Sequence, residues 1–221
     1  HWKEYFPNMA YDTTYGLSES TGPGCVHLGI ENEHKVGAIG LAGFNWETGI
    51  VDEEGNRVKM GEVGELVVRG DGVMKEYYKN PEATAKAIRN GWLFTGDMAK
   101  QDEDGFIFLV DRKKDVIITG GENIFPVEIE DFLHTLSGVK DVAAIGYPDE
   151  RLGEVVTVII DVVPGKTLTE DEVLKYCERL PKYKRPKKVF FGEVPRNPTG
   201  KIEKPKLRKK YIGMEESFKI K

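Results

Sequence analysis

Five short stretches of this sequence gather side chains able to handle an anionic, hydroxyl-bearing ligand. Tyr15-Gly16-Leu17-Ser18-Glu19 puts an aromatic face, a flexible glycine, a hydroxyl and a carboxylate side by side. Those parts suit stacking a base and holding a metal-bound phosphate. Asp97 follows Thr95-Gly96; its carboxylate could accept both hydroxyl hydrogens of a ribose, or serve only as a turn residue. Arg112 lies 15 positions later, and its rigid fork suits ribose and phosphate oxygens, a surface ion pair being the plain alternative. Thr119-Gly120-Gly121-Glu122-Asn123 is a glycine turn that lets a narrow ligand pass against the backbone, although it lacks the GxxxxGK[ST] pattern of a phosphate loop. Pro195-Arg196-Asn197-Pro198-Thr199-Gly200-Lys201 is a stiff turn presenting one lysine, whose ammonium could neutralise anionic oxygens in a transition state. Taken alone, roughly nine lysines in ten in so basic a stretch serve surface solvation or phosphate steering.

Other chemistries have less support. His1, His27, His34 and His134 have no acid/base partner nearby in sequence, and no nucleophile elbow surrounds a serine. Asp102-Glu103-Asp104-Gly105 resembles a calcium loop but lacks the distal bidentate glutamate, so it reads as a plain turn. Cys25 and Cys177 are too few for a disulfide scaffold and are not spaced as metal ligands, which favours a reducing, cytoplasmic setting.

The elements that must position these groups change character near residues 111–115. Before that point, short apolar runs such as Gly49–Val51 and Glu65–Val68 are bounded by turn residues, predicting sheet or barrel material. Asn80 as cap with Pro81 in the first helical position predicts a helix over Glu82–Ile88 closed by Gly91. Asp97–Lys100 and Phe106–Val110 read as a hairpin. After it, Val116–Ile118, Val142–Ile145, Val155–Val163 and Val189–Phe191 read as strands of a small α+β module with two helices. The first begins after Pro126 and aligns Ile129, Phe132, Leu133 and Leu136. The second carries a Thr169/Glu172 capping box and buries Val173, Cys177 and Leu180.

With 221 residues, 39% hydrophobic and 31% charged, the chain can bury a core, and no apolar run approaches the ~20 residues of a membrane span. Residues 1–112 hold 11 Lys/Arg against 19 Asp/Glu, and residues 113–221 hold 21 against 18, so the halves differ in sign. Lys182–Lys210 concentrates 12 basic residues against Glu193 and Glu203, a stretch that could face phosphate or simply be a solvated surface. His1 opens the chain without a methionine or a signal-peptide pattern, which reads as the continuation of a longer protein.

In order, Tyr-Gly-Leu-Ser-Glu, Thr-Gly-Asp, Asp-Arg-Lys-Lys-Asp, Gly-Gly-Glu-Asn-Ile-Phe-Pro-Val-Glu-Ile-Glu and Pro-Arg-Asn-Pro-Thr-Gly-Lys resemble the acyl-CoA synthetase branch of the adenylate-forming superfamily. The resemblance spans about Tyr11 to Arg208. It implies an α/β and α+β protein: residues 1–111 as the end of a large adenylating domain, with short barrel-like strands, and residues 112–221 as the mobile C-terminal domain, with a hinge near 112–115. It also implies a carboxylic acid, ATP and CoA as substrates and Mg²⁺ as the metal, with acyl-AMP formed first and acyl-CoA second.

Carried over by position, Thr14, Tyr15, Gly16, Ser18, Asp97 and Arg112 would bind ATP or AMP, Tyr15 flanking adenine and Asp97 holding the ribose hydroxyls. Glu19 would ligate Mg²⁺, Lys114 would be the hinge, and Lys201 would bridge carboxylate and phosphate during adenylation. Gly120, Gly121 and Glu122 would line the path of the CoA arm, with Arg185 near its nucleotide. The family's Ser/Thr-Gly-rich phosphate loop ending in Pro-Lys is not in this sequence, nor is most of the acyl pocket, so the resemblance implies that the fragment alone is inactive and leaves acid specificity and homo-oligomerisation open. A nucleotide-binding regulatory module without turnover is the alternative. Nucleic-acid binding is disfavoured by the net charge of −5 and the lack of an aromatic ladder.

Overall fold

β-Branched and aromatic runs punctuated by glycine turns make the first half of the chain a sheet, and a near-continuous apolar hairpin makes the second half a sheet covered on both faces. The computed structural model describes residues 2–9, 12–32 and 34–213, so His1 lies outside the described residues. The chain divides into two units, His1–Lys113 and Lys114–Lys221.

The first unit contains α1 (Trp2–Tyr5), β1 (Asp12–Gly16), β2 (Pro23–Leu28), α2 (Gly29–Asn32), β3 (Ala38–Ala42), β4 (Trp46–Val51), β5 (Gly64–Gly70), α3 (Pro81–Ala87), β6 (Ile88–Arg89), β7 (Trp92–Gln101) and β8 (Ile107–Arg112). The strands pair in the order β1-β2-β3-β8-β7-β5-β4, with β6 added beside β7. β1 and β4 are therefore edges, and the barrel-like expectation is corrected to an open sheet among the described residues. Cys25, Ile50, Leu66, Val68, Leu93, Ala99 and Ile107 form its core. Gly40 (φ 101°) is required where β2 and β3 press together: a Cβ there would stand 2.0 Å from the Val26 carbonyl oxygen.

Asn80 caps α3 as its type predicts, its side chain accepting from the Ala83 N–H at 3.1 Å with Pro81 in the first turn. The helix ends earlier than expected, at Ala87. Ile88 is already extended and pairs with Leu93 across the turn, so Gly91 turns a small hairpin rather than closing a helix.

The second unit contains β9 (Ile117–Thr119), β10 (Glu122–Ile124), α4 (Pro126–His134), β11 (Val139–Asp149), β12 (Gly153–Val162), α5 (Glu170–Cys177), β13 (Lys188–Phe191) and α6 (Lys204–Ile212). The order is β10-β9-β12-β11, with β13 parallel to β12. Strand β11 shows why its sequence is so apolar. Val142 and Ala144 pack with Ile129 and Leu133 of α4 and Val173 and Cys177 of α5, while Ala143 and Ile145, pointing the other way, pack with Leu207 of α6. The Thr169/Glu172 capping box forms, and Leu136 and Leu180 pack against the core from just beyond their helices. The short strand β10, unexpected from the sequence, turns the glycine segment into a hairpin. Among the described residues no helix is long and apolar enough to cross a membrane.

Candidate functional site

In the first unit the candidate side chains converge through sheet pairing. Asp97 and Arg112 face each other on β7 and β8, with Arg112 Nε 3.8 Å from Asp97 Oδ1. From β1, the Tyr15 hydroxyl donates to Asp97 Oδ2 at 2.6 Å. Burial, reinforced by this carboxylate, raises the Tyr15 hydroxyl far above its ordinary value, so it stays a proton donor and Asp97 the acceptor. Thr14, Gly16 and Ser18 lie exposed beside it. Asp97 thus keeps one oxygen engaged by Tyr15 and offers the other toward the exposed Arg112.

The turn carrying Asp97 is held by its own Thr95 and Gly96, by Lys113 of the Asp-Arg-Lys-Lys-Asp motif, and by Glu65, which no motif includes. Thr95 Oγ1 donates to the Leu66 carbonyl at 2.7 Å and accepts from the Asp97 N–H at 3.1 Å. Buried Glu65 accepts from the Gly96 N–H at 3.0 Å and from Lys113 Nζ at 2.7 Å. The Lys113 N–H in turn donates to the Gly96 carbonyl at 2.8 Å. Gly96 has φ 74°, a conformation that a Cβ would strain.

Glu19 sits in a single helical turn, Ser18–Ser20, whose Ser20 hydroxyl binds back to the Leu17 carbonyl. The Tyr77 hydroxyl donates to Glu19 Oε1 at 2.8 Å, which leaves Oε2 for a ligand. The described residues contain no cluster of three metal-ligating side chains. A lone carboxylate oxygen fits a magnesium ion that takes its other ligands from water and phosphate, the usual habit of that ion.

In the second unit Lys201 stands exposed at the end of a braced turn. Asn197 Oδ1 accepts from the Thr199 N–H, the Thr199 hydroxyl and the Lys201 N–H at 3.1, 2.8 and 2.9 Å. Arg196 binds both oxygens of Asp141 at 2.7 and 2.8 Å and the Gly200 carbonyl at 2.6 Å. Burial would raise the Asp141 carboxyl, but the Arg196 and Val142 hydrogen bonds outweigh it and hold the group below its usual range. Helix α6 then anchors the turn: Lys204 pairs with Glu130 at 2.9 Å and Arg208 with Asp115 at 2.6 Å, all four side chains being at most 10% exposed. Among the described residues Lys201 itself has no acidic partner.

Gly120 (φ 57°) and Gly121 (φ 88°) form the two-residue turn between β9 and β10, a geometry that demands positive φ at both positions. No atom lies within 4 Å of where a Gly121 Cβ would be, and Glu122 is exposed. Arg185 spends two nitrogens on the carbonyls of Leu180 and Glu178, at 2.8 and 2.5 Å. Lys114 is exposed at the boundary of the two units.

Several remaining residues take structural roles. The basic stretch uses many of its charges internally, on Glu128, Asp141, Glu130 and Asp115. Lys35 binds Asp102 at 2.6 Å and Asp104 at 2.5 Å, neutralising the turn that resembles a calcium loop. His134 lies 3.6 Å from Asp141, a neighbour invisible in sequence, while both His27 ring nitrogens face backbone carbonyls. Cys177 is fully buried, and burial pushes its thiol up to about 11.

Comparison with known proteins finds relatives for both units. Residues 1–78 match the family model described as AMP-binding enzyme, and residues 128–201 match that described as AMP-binding enzyme C-terminal domain. A long-chain-fatty-acid–CoA ligase of Mycobacterium tuberculosis is 43% identical over 199 residues, covering 89% of this chain and 39% of that protein. 4-Hydroxybutyrate–CoA ligase 2 of Metallosphaera sedula is 43% identical over 206 residues, covering 88% and 38%. Among solved structures, ATP-bound MatB from Rhodopseudomonas palustris superposes with a TM-score of 0.83 at 36% identity, covering 90% of this chain and 40% of that one. The o-succinylbenzoate CoA synthetase of Bacillus subtilis, in complex with its acyl-adenylate intermediate, gives 0.80 at 33% identity, covering 90% and 41%. The chain thus spans about two fifths of the length of these relatives.

Proposed function

The chain belongs to the AMP-binding enzyme family, and from that premise we propose that it is part of an ATP-dependent, AMP-forming carboxylic acid–CoA ligase. The observation that carries this reading is the Tyr15–Asp97–Arg112 cluster, formed by three residues from distant motifs. The first unit is the end of the adenylating domain, its edge at Lys113 rather than at residue 111. The second, from Lys114 onward, is the mobile domain, turning about Lys114.

In the first half-reaction Tyr15 flanks adenine, with Thr14, Gly16 and Ser18 lining the nucleotide. Asp97 accepts from the ribose hydroxyls. A carboxylate has about four lone-pair sites, so this is compatible with keeping the Tyr15 bond. Arg112 contacts ribose or phosphate oxygens. Glu19 would hold Mg²⁺ through Oε2, the ion supplying charge neutralisation on the phosphates when bound. Lys201 stabilises the negative charge that builds as the acid's carboxylate oxygen attacks the α-phosphorus and pyrophosphate leaves. Because its turn is pre-braced, little reorganisation accompanies that role.

In the second half-reaction the CoA thiol attacks the acyl carbonyl and AMP departs. Gly120 and Gly121 present backbone free of side chains to the CoA arm, with Glu122 at its edge. Arg185 offers its remaining N–H groups to the CoA nucleotide. The acid is open, since relatives of equal identity are named for a long-chain fatty acid and for 4-hydroxybutyrate.

The test is product identification by phosphorus NMR, using the full-length enzyme, ATP, CoA and a panel of acids. AMP and pyrophosphate in step with acyl-CoA are expected. ADP and inorganic phosphate would refute the reading. The 221-residue chain alone is expected to make no acyl-CoA, because without the phosphate loop the triphosphate is not positioned; thioester synthesis by the purified chain would contradict this.

A further inference from the structure

The segment around Lys114 is gripped on both sides, each time within its own unit. On the near side, Lys113 is tied to the first unit twice. Its N–H donates to the Gly96 carbonyl at 2.8 Å, and its ammonium binds Glu65 at 2.7 Å. The same Glu65 carboxylate accepts from the Gly96 N–H at 3.0 Å, so one buried group grips both the segment's end and the turn beside Asp97. On the far side, Asp115 is 8% exposed and binds Arg208 of α6 at 2.6 Å. Val116 and Ile117 then enter the core. Between these two clamps Lys114 alone is exposed, without an ion pair among the described residues.

We propose that Glu65, Lys113, Asp115 and Arg208 are positioning residues that confine the change of chain direction to Lys114. This rests on the hinge reading above and deepens it. Two rigid bodies joined through one residue have only its φ and ψ to vary, which limits the arrangements they can reach. The first clamp runs through Gly96 to Asp97, so the nucleotide turn moves with the near end. The second runs into α6, which begins three residues after Lys201, so Lys201 moves with the far end. Neither pair touches substrate in this account; both act through Lys114.

A cycle of variants in the full-length enzyme tests this. Lys114→Pro fixes φ and is expected to slow CoA thioester formation from supplied acyl-AMP ~10²-fold more than pyrophosphate release, the scale of a small misplacement of reacting groups. Adding Lys113→Met or Asp115→Asn lets neighbouring residues share the turn and is expected to restore at least about tenfold of that deficit. Lys113→Arg keeps the ion pair and should restore nothing. An asymmetric Lys114→Pro deficit that clamp release leaves unchanged overturns the proposal alone. Equal loss of both half-reactions in Lys114→Pro removes the hinge reading and the proposal with it. A second readout does not depend on the proline. By hydrogen exchange, Lys113→Met should speed exchange at Gly96 and at position 113, and Asp115→Asn should speed it at residues 115–117, each by more than in the core strands β5 and β12. Unchanged exchange in both variants also overturns the proposal.

Discussion

The two units prepare their candidate groups in opposite ways. In the first, the functional side chains satisfy one another: the Tyr15 hydroxyl is already on Asp97, and Arg112 stands 3.8 Å away. In the proposed role, a nucleotide arriving there would join or exchange existing bonds. In the second, the scaffold is satisfied and the candidate is not. Asn197, Arg196 and Asp141 close the turn, and Lys201 is left unpaired among the described residues. The contrast fits groups that meet charge at different times. A ribose is present from the moment of binding, so its acceptor can be kept engaged. In the proposed role, the charge on the phosphoryl oxygens facing Lys201 rises further in the transition state, where a donor held ready and unspent is worth most.

Variants at the two places should separate these modes. Lys201→Ala is expected to have the largest effect, lowering pyrophosphate release ~10²- to 10³-fold, as for loss of one oxyanion donor. Asp97→Asn comes next. Losing a charge-assisted acceptor costs ~1.5–3 kcal/mol, so kcat/KM for ATP should fall between ~10- and ~10²-fold, whereas an unchanged value would place the ribose elsewhere. Tyr15→Phe keeps the ring and removes one hydrogen bond, worth ~1 kcal/mol net. KM for ATP should rise several-fold with kcat held, because binding in ground and transition states is lost alike; a fall in kcat instead would give the hydroxyl a chemical role.

The smallest effect concerns the brace. Asp141→Asn breaks a partly exposed pair worth ~1 kcal/mol and should lower Tm by a few degrees without altering nucleotide affinity. Its pH dependence has a definite sign. The folded Asp141 carboxyl lies below its ordinary value, so its contribution is present above the unfolded pKa of about 3.9 and fades as pH falls through the folded one. The stability difference between parent and variant should therefore shrink as pH falls below about 4, which denaturant melts at several pH values would read. A difference that grows under acid would contradict the assignment.

Local chemistry was legible in the sequence, and long-range pairing was not. Asn80-Pro81 and Thr169/Glu172 announced their helix starts because capping is decided within four residues. The end of α3 was missed because pairing of Ile88 with Leu93 overrode helical propensity. The five motifs named the candidate side chains, yet nothing local brings Tyr15 to Asp97, which only the β7–β8 pairing and the placement of β1 achieve. Glu65, Tyr77 and Asp141 lie outside every motif, and Lys113, inside Asp-Arg-Lys-Lys-Asp, carries no role of its own there. As isolated charged or hydroxyl residues they are ordinary, and their roles exist only through partners 48, 58 or 55 positions away.

The division of labour between the units is tested most directly by running both half-reactions on Lys201→Ala in the full-length enzyme. One arm measures pyrophosphate release from ATP and acid; the other measures AMP release from synthetic acyl-AMP and CoA. The first arm should collapse while the second stays near the parent rate, since no charge on the leaving pyrophosphate remains to be met. Parallel loss in both arms, accompanied by a lower Tm, would make Lys201 an anchor of its turn, and normal pyrophosphate release would remove it from the chemistry.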